Sequence, residues 1–84
     1  MDKQVNYLDV KFFDFEKKVS STGKNYLIIR LIYDKKIISV FASDCAMQDD
    51  LKILNQFDNV KLSYILTVFN DLIKIVPVAI ELIS

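Results

Sequence analysis

The sequence predicts a small, mainly β domain with one short helix, in the order β-β-β-α-β-β, closing as a five-stranded barrel. Three observations carry that expectation. Residues 26–33 read Tyr-Leu-Ile-Ile-Arg-Leu-Ile-Tyr, a run of β-branched and aromatic side chains that favours a strand. Two further apolar runs flank Asn70-Asp71, a two-residue hairpin signal. Between these regions the hydrophobic period changes once, to Met47, Leu51 and Leu54 at the i, i+4, i+7 spacing of a helix.

Eighty-four residues suffice for one domain, spanning 1–84, and not for two. A core at this size is thin, yet 52% apolar residues are enough to pack one and argue against global disorder.

The first strand is expected over 6–17. Leu8, Val10 and Phe12 fall on one face, and Lys11, Phe13 and Phe15 on the other. Large apolar groups on both faces suit a strand bent across two packed layers. Residues 17–24 are polar, contain the only glycine and read as a loop. In the second strand Leu27, Ile29, Leu31 and Tyr33 share one face, with Tyr26, Ile28, Arg30 and Ile32 on the other.

Asp34-Lys35-Lys36 is a short turn into a third strand over 37–42. A two- or four-residue turn after Tyr33 pairs Arg30 with Phe41 on one face. A three-residue turn sends Phe41 to the opposite face, and the sequence leaves that register open. Ser43 or Asp44 can cap a helix over 44–56, with Asp49 and Asp50 near its positive end. Asp58-Asn59 then turns the chain.

Residues 60–69 alternate, with Val60, Leu62, Tyr64, Leu66 and Val68 as the apolar face, and 72–76 return as the partner strand. Pro77 has no N–H to give a ladder, so it belongs at an edge, a bulge or a strand end. Residues 78–83 are apolar enough to need a partner, either the barrel wall or another subunit.

Five strands with one helix between the third and fourth is the order of the five-stranded Greek-key barrel known as the OB-fold. An open α+β sheet with the helix on one face is the competing architecture. The run Thr22-Gly23-Lys24-x-Tyr26, leading into an apolar strand, resembles the first hairpin of small OB-fold single-stranded DNA-binding proteins of filamentous phages and of Gram-positive phages and plasmids. The terminal hairpin Val68-Phe69-Asn70-Asp71-Leu72 adds to the likeness, which covers residues 6–78. The resemblance implies a cytoplasmic protein of phage or mobile-element DNA replication or recombination.

Composition excludes more than it selects. Eleven basic side chains balance eleven acidic ones, so any nucleic-acid footprint must be a local patch within a neutral total. One cysteine permits no intramolecular disulfide, and with no histidine there is no Cys-His nucleophile pair or Cys/His zinc site. The N-terminus has no signal-peptide pattern, and no apolar run approaches the ~20 residues of a membrane span. A reduced, cytoplasmic protein away from membranes is expected.

The Gly-Lys pair of Ser20-Ser21-Thr22-Gly23-Lys24-Asn25-Tyr26 raises the question of a phosphate loop. Such a loop needs G-x-x-x-x-G-K-[ST] followed by a helix. Here Lys18 stands where the first glycine belongs, Asn25 where the hydroxyl belongs, and a strand follows. Gly23 is read as a turn residue that supplies φ > 0.

The binding residues expected instead come from a barrel groove. The loops joining strands one and two and strands four and five border that groove, which places Lys17, Lys18 and Lys24 where they can track a phosphate backbone. Tyr26 and Arg30 share the outer face of the second strand with Ile28 and Ile32, a strip able to stack bases. Phe41 and Ser39 join it from the third strand if the register allows. Lys35, Lys36 and Lys74 are further phosphate contacts, and Phe69 beside the Asn70-Asp71 turn is a further stacking candidate.

Bland readings stand beside each of these. The lysines can be a solvated loop, the strip a dimer interface or a covered surface, and Phe69 and Lys74 the finish of a hairpin. Phe13 and Phe15 are assigned to core packing. Asp49 and Asp50 point about 100° apart on a helix and do not converge on a metal. Cys45 is read as a small buried residue. No acid, base and nucleophile come together, so the chain is read as no enzyme, with no cofactor.

Two functions are therefore carried forward. One is a non-catalytic module for single-stranded DNA, with RNA left open, acting as a homodimer or larger. The other is an OB-fold protein-interaction module, an accessory subunit of a replication or other element-encoded enzyme.

Overall fold

The computed structural model describes residues 4–43 and 45–83. The order of elements is β1 (Asn6–Val19), β2 (Asn25–Tyr33), β3 (Lys36–Ala42), α1 (Gln48–Lys52), β4 (Asn59–Phe69) and β5 (Leu72–Leu82). They form one antiparallel five-stranded sheet in the spatial order β3-β2-β1-β4-β5. The outer strands β3 and β5 approach each other across the remaining gap without pairing, so the sheet curls into a barrel-like OB-fold that is not closed by hydrogen bonds.

β1 makes the curl possible because it serves both halves of the sheet. Its first half, Asn6 to Lys11, pairs with β4, and from Lys11 to Val19 it pairs with β2. The changeover coincides with a bulge at Phe13, between Phe12 and Asp14. A bulge bends a strand and shifts the alternation of its side chains by one. That shift corrects the simple alternation expected of β1: Phe15 does not share a face with Lys11 but packs with Phe12 against the core, ring centroids 6.5 Å apart. Phe13, the bulged residue, sets its ring edge against Phe57.

The core is the inner face of the curl. Val10 and Phe12 of β1, Leu27, Ile29 and Leu31 of β2, Val40 and Ala42 of β3, Val60 and Leu62 of β4 and Ile80 of β5 are buried there. Met47 and Leu51 cap the cluster from the helical segment, with Leu54 partly buried beside them. The apolar stripe is the expected one, but the helix is a single turn of Gln48–Lys52 rather than 44–56. Its N-cap is Met47 with no side-chain cap, so Ser43 does not serve, and Asp44 lies outside the described residues. The chain leaves helical geometry after Lys52: Leu54 N–H donates to the Leu51 carbonyl at 3.2 Å, three residues back, Asn55 N–H turns to Asp58 Oδ2 at 2.8 Å, and Phe57, at φ 74°, donates its N–H to the Phe12 carbonyl at 2.7 Å.

Both tight hairpins use the left-handed turn that matches strand twist. Asp34 and Lys35 have φ 51° and 63°, and Asn70 and Asp71 have φ 51° and 64°, the signature of type I′ turns. The first turn is thus Asp34-Lys35 alone, and β3 begins at Lys36. β5 runs unbroken through Pro77, which lies at the register shift opposite Ser63 and Tyr64. The barrel wall is the partner of the apolar C-terminal stretch, since residues 79–82 pair with β4. No described helix is long and apolar enough to cross a membrane.

Candidate nucleic-acid interface

The turn from β1 into β2 consumes its own polar groups. Gly23 N–H donates to the Ser20 carbonyl at 2.9 Å, and Ser20 N–H to the Lys24 carbonyl at 2.8 Å. Lys24 N–H reaches Ser20 Oγ at 3.2 Å, and that hydroxyl also meets Thr22 Oγ1 at 3.0 Å. Gly23 has φ 85°, so glycine is required by conformation. The loop is a closed turn, with the Ser20 and Thr22 hydroxyls and the amides of Ser20, Gly23 and Lys24 directed inward on each other rather than toward an anion.

The two-residue turn after Tyr33 sets the register of the outer face. Ile28 lies opposite Phe41, Arg30 opposite Ser39, and Ile32 opposite Ile37. Phe41 therefore shares the face of Tyr26 and Arg30, although its cross-strand partner is Ile28 and not Arg30 as the turn length had suggested. The buried Leu27, Ile29 and Leu31 fix this face outward, because a strand that turns three residues into the core must turn the alternate ones away.

At the end of the barrel near Gly23, β5 completes a cleft of about 260 Å³ lined by Tyr26, Phe41, Ala42, Ser43, Lys74 and Val76. Two aromatic rings and a cation from three separate strands thus border one concavity. Phe41 and Lys74 also border the adjoining cleft between β3 and β5, with Ile38, Val40, Ile73 and Ile75. Phe69 belongs to the next same-face pair toward the hairpin tip, beyond Thr67 and Lys74, and is exposed.

Arg30 is held on this face by two carboxylates. Its Nε donates to Asp14 Oδ1 at 2.6 Å, and its Nη2 lies 3.4 Å from both Asp14 Oδ2 and Glu16 Oε2. The hydrogen bond that the guanidinium donates to Asp14 is the leading cause that raises it above its ordinary pKa, so its charge is fixed. Lys18, opposite Tyr26, is 3.7 Å from Glu16. Two of the cations on the strip are therefore already paired with acids of β1.

The other candidates scatter. Lys17 and Lys18 lie on β1 rather than in the loop, with Lys17 across from Leu27 and so on the opposite face from Lys18. Lys24 is in the turn and exposed. Lys35 and Lys36 sit at the other end of β2, seven residues from Tyr26, or about 23 Å at the usual strand rise. Lys35 lines a different hollow there, with Asp9, Lys11, Tyr33, Asp34 and Asn59. Asp14 and Glu16 were missed as members of the face. Their i, i+2 spacing to Lys18 was readable, but the bulge at Phe13 decides which way that row points.

Among the described residues no three acidic, cysteine or histidine side chains come together to hold a metal ion.

No protein-family model matches the chain, and a search of curated proteins finds no relative. Solved structures do match. The mitochondrial single-stranded DNA-binding protein Rim1 of S. cerevisiae superposes with a TM-score of 0.73 at 11% identity, covering 99% of this chain and 98% of that one. The small single-stranded DNA-binding protein of Streptomyces coelicolor gives 0.62 at 16% identity over 98% and 94%. The second OB-fold domain of replication protein A from Methanococcus maripaludis gives 0.53 at 11% identity over 98% and 86%. At these identities the likeness is one of fold.

Proposed function

We propose that this chain is a non-catalytic single-stranded DNA-binding protein that holds the strand against the outer face of β2 and β3. The observation that carries the reading is the cleft in which Tyr26, Phe41 and Lys74 converge, on a fold shared with proteins named for that activity. Bases stack on Tyr26 and Phe41, and Phe69 extends the row toward the hairpin tip. Lys74, Lys24 and Lys18 meet phosphates beside it. Arg30, neutralised by Asp14 and Glu16, acts mainly as a flat surface for a base rather than as a phosphate contact. Lys17, Lys35 and Lys36 lie off this path and contribute only to long-range attraction.

The setting we propose is phage or mobile-element replication or recombination in the reduced cytoplasm, on the likeness of the Thr22-Gly23-Lys24-x-Tyr26 turn. The chain acts as one domain over 1–84 and as a homodimer. Fluorescent oligo-dT titrated at several salt concentrations tests the binding itself. Affinity should fall with salt at a log–log slope of about −0.7 per phosphate neutralised. Absence of any anisotropy change at micromolar protein and low salt refutes it.

A second reading, a protein-interaction module docking on a replication or other element-encoded enzyme, is favoured by the exposed apolar side chains of the β4–β5 hairpin and the zero net charge. It predicts no salt-sensitive DNA binding, so the same titration separates the two.

A further inference from the structure

The loop from α1 into β4 holds an aromatic side chain against both of its preferences. Phe57 sits at φ 74°, in the left-handed region that a bulky residue adopts only under constraint. Its side chain is also 56% exposed, and Ile53, earlier in the same loop, is 74% exposed. Asparagine or glycine would take that backbone conformation with less strain, and a polar side chain would suit the exposure better. Neither the turn nor the core therefore accounts for a phenylalanine here. Backbone strain of this kind collects at sites of function.

The loop is also built to keep its shape. Besides the bonds from Phe57 N–H to the Phe12 carbonyl and from Asn55 N–H to Asp58 Oδ2, Phe12 N–H returns to the Asp58 carbonyl at 2.9 Å. The half-buried Phe13 meets the Phe57 ring edge-on, with the two planes at 68°, and steadies it from one side. Leu51 and Leu54 tie the same segment to the core. The charges around Ile53 and Phe57 are mostly of one sign. Exposed Asp49 and Asp50 and half-buried Asp58 stand against Lys52 alone, so residues 49–59 carry a net negative charge.

We infer that this lobe is a docking site for a basic amphipathic segment of another protein, with Ile53 and Phe57 as its anchors. A large apolar side chain on a pre-formed surface makes a strong contact, because it buries much area and has little freedom left to lose. The surrounding carboxylates give the lobe its selectivity. They favour a partner segment rich in lysine or arginine and repel a nucleic-acid backbone, which has their own sign. The lobe shares no residue with the Tyr26–Phe41–Lys74 cleft, so docking here uses none of the groups assigned to DNA. The inference stands independently of DNA binding, and it gives the protein-interaction reading a face other than the β4–β5 hairpin.

Fluorescence anisotropy tests it with the full chain and no DNA present. The probe is a labelled peptide of leucine and lysine, patterned as an amphipathic helix of about four turns, and the control has glutamate in place of lysine. The lysine peptide should bind at micromolar protein and weaken as salt rises, and the glutamate peptide should bind about tenfold more weakly or not at all. Phe57→Asn keeps the main-chain bond and tolerates the positive φ, so its urea midpoint should be unchanged or raised while affinity for the lysine peptide falls by about fivefold or more. Ile53→Ser, at a largely exposed site, should also weaken the peptide with unchanged circular dichroism. Asp49→Asn/Asp50→Asn should flatten the salt dependence. No binding of the lysine peptide at about 100 μM protein overturns the inference. So does equal binding of the two peptides, or an affinity indifferent to both Phe57→Asn and Ile53→Ser. A dimer that Phe57→Asn dissociates, with no peptide bound, assigns the lobe to a second copy and overturns it as well. Oligo-dT titration is read separately: absent DNA binding in the wild type refutes the binding proposal and leaves the peptide result standing.

Discussion

Neutralising Asp14 and Glu16 should increase the affinity for single-stranded DNA and steepen its salt dependence. In the wild type the guanidinium of Arg30 is enclosed by two carboxylates at 2.6 and 3.4 Å. A cation already neutralised by two carboxylates adds little to neutralising a phosphate and so displaces few of the ions condensed on it, and a phosphate approaching it meets two negative charges alongside. In Asp14→Asn/Glu16→Gln the shapes and hydrogen-bonding atoms stay nearly the same while both charges go. Arg30 then becomes one additional phosphate contact, worth about −0.7 in the log–log slope for a single strand. Between 50 and 200 mM salt that slope alone changes relative affinity by about 2.6-fold, so the gain is largest at low salt. The assay is oligo-dT anisotropy at four or more salt concentrations, with circular dichroism to confirm the fold. Adding Arg30→Gln to the double variant should return the slope to its wild-type value, which separates the released arginine from general relief of repulsion. An unchanged slope in the double variant, or a slope indifferent to Arg30→Gln, refutes the reasoning.

Four further outcomes follow from the same geometry. Tyr26→Ala removes a ring from the cleft and should weaken oligo-dT binding by about 1–3 kcal/mol, the usual worth of one stacked base, with little change in the salt slope. Gly23→Ala meets no atom within 4 Å of the new Cβ, so only its φ of 85° opposes it; urea unfolding should show a loss of about 1 kcal/mol. Asp71→Gly relieves a non-glycine residue at φ 64° in a type I′ turn and should gain about 0.5–1 kcal/mol, raising Tm by several degrees. Ile29→Val deletes one methylene from a fully buried side chain and should cost about 0.5–1.5 kcal/mol in the same urea assay, with DNA affinity per folded molecule unchanged.

What could be read from the chain and what could not divides along one physical line. Features set by neighbours in sequence were legible. The alternation of residues 26–33 buries Leu27, Ile29 and Leu31 and turns out Tyr26, Ile28 and Arg30, because a strand has a period of two wherever it is regular. Asn70-Asp71 announces its hairpin because so few residues tolerate a positive φ. Features set by one extra residue, or by which strands meet, were not. A single bulged residue, Phe13, reverses the facing of all that follows it in β1, taking Phe15 into the core and bringing Asp14 and Glu16 out beside Arg30. The helix is one turn because the amides that would continue it have other partners: Asn55 N–H donates to Asp58 Oδ2, and Phe57 N–H to the Phe12 carbonyl, 45 positions away. The basic residues illustrate the point most directly. Sequence proximity grouped Lys17 with Lys18 and Lys35 with Lys36, whereas strand alternation turns Lys17 and Lys18 to opposite faces, Lys35 and Lys36 sit at the far end of β2, and the curl of the sheet brings Lys74, 48 positions from Tyr26, to the same cleft. A binding face on a barrel is assembled across strands, so its members are chosen by register, and register depends on turn lengths and bulges to the single residue. Sequence proximity is the wrong measure for such a site, and the carboxylates that restrain Arg30 escape any search that looks for cations and rings alone.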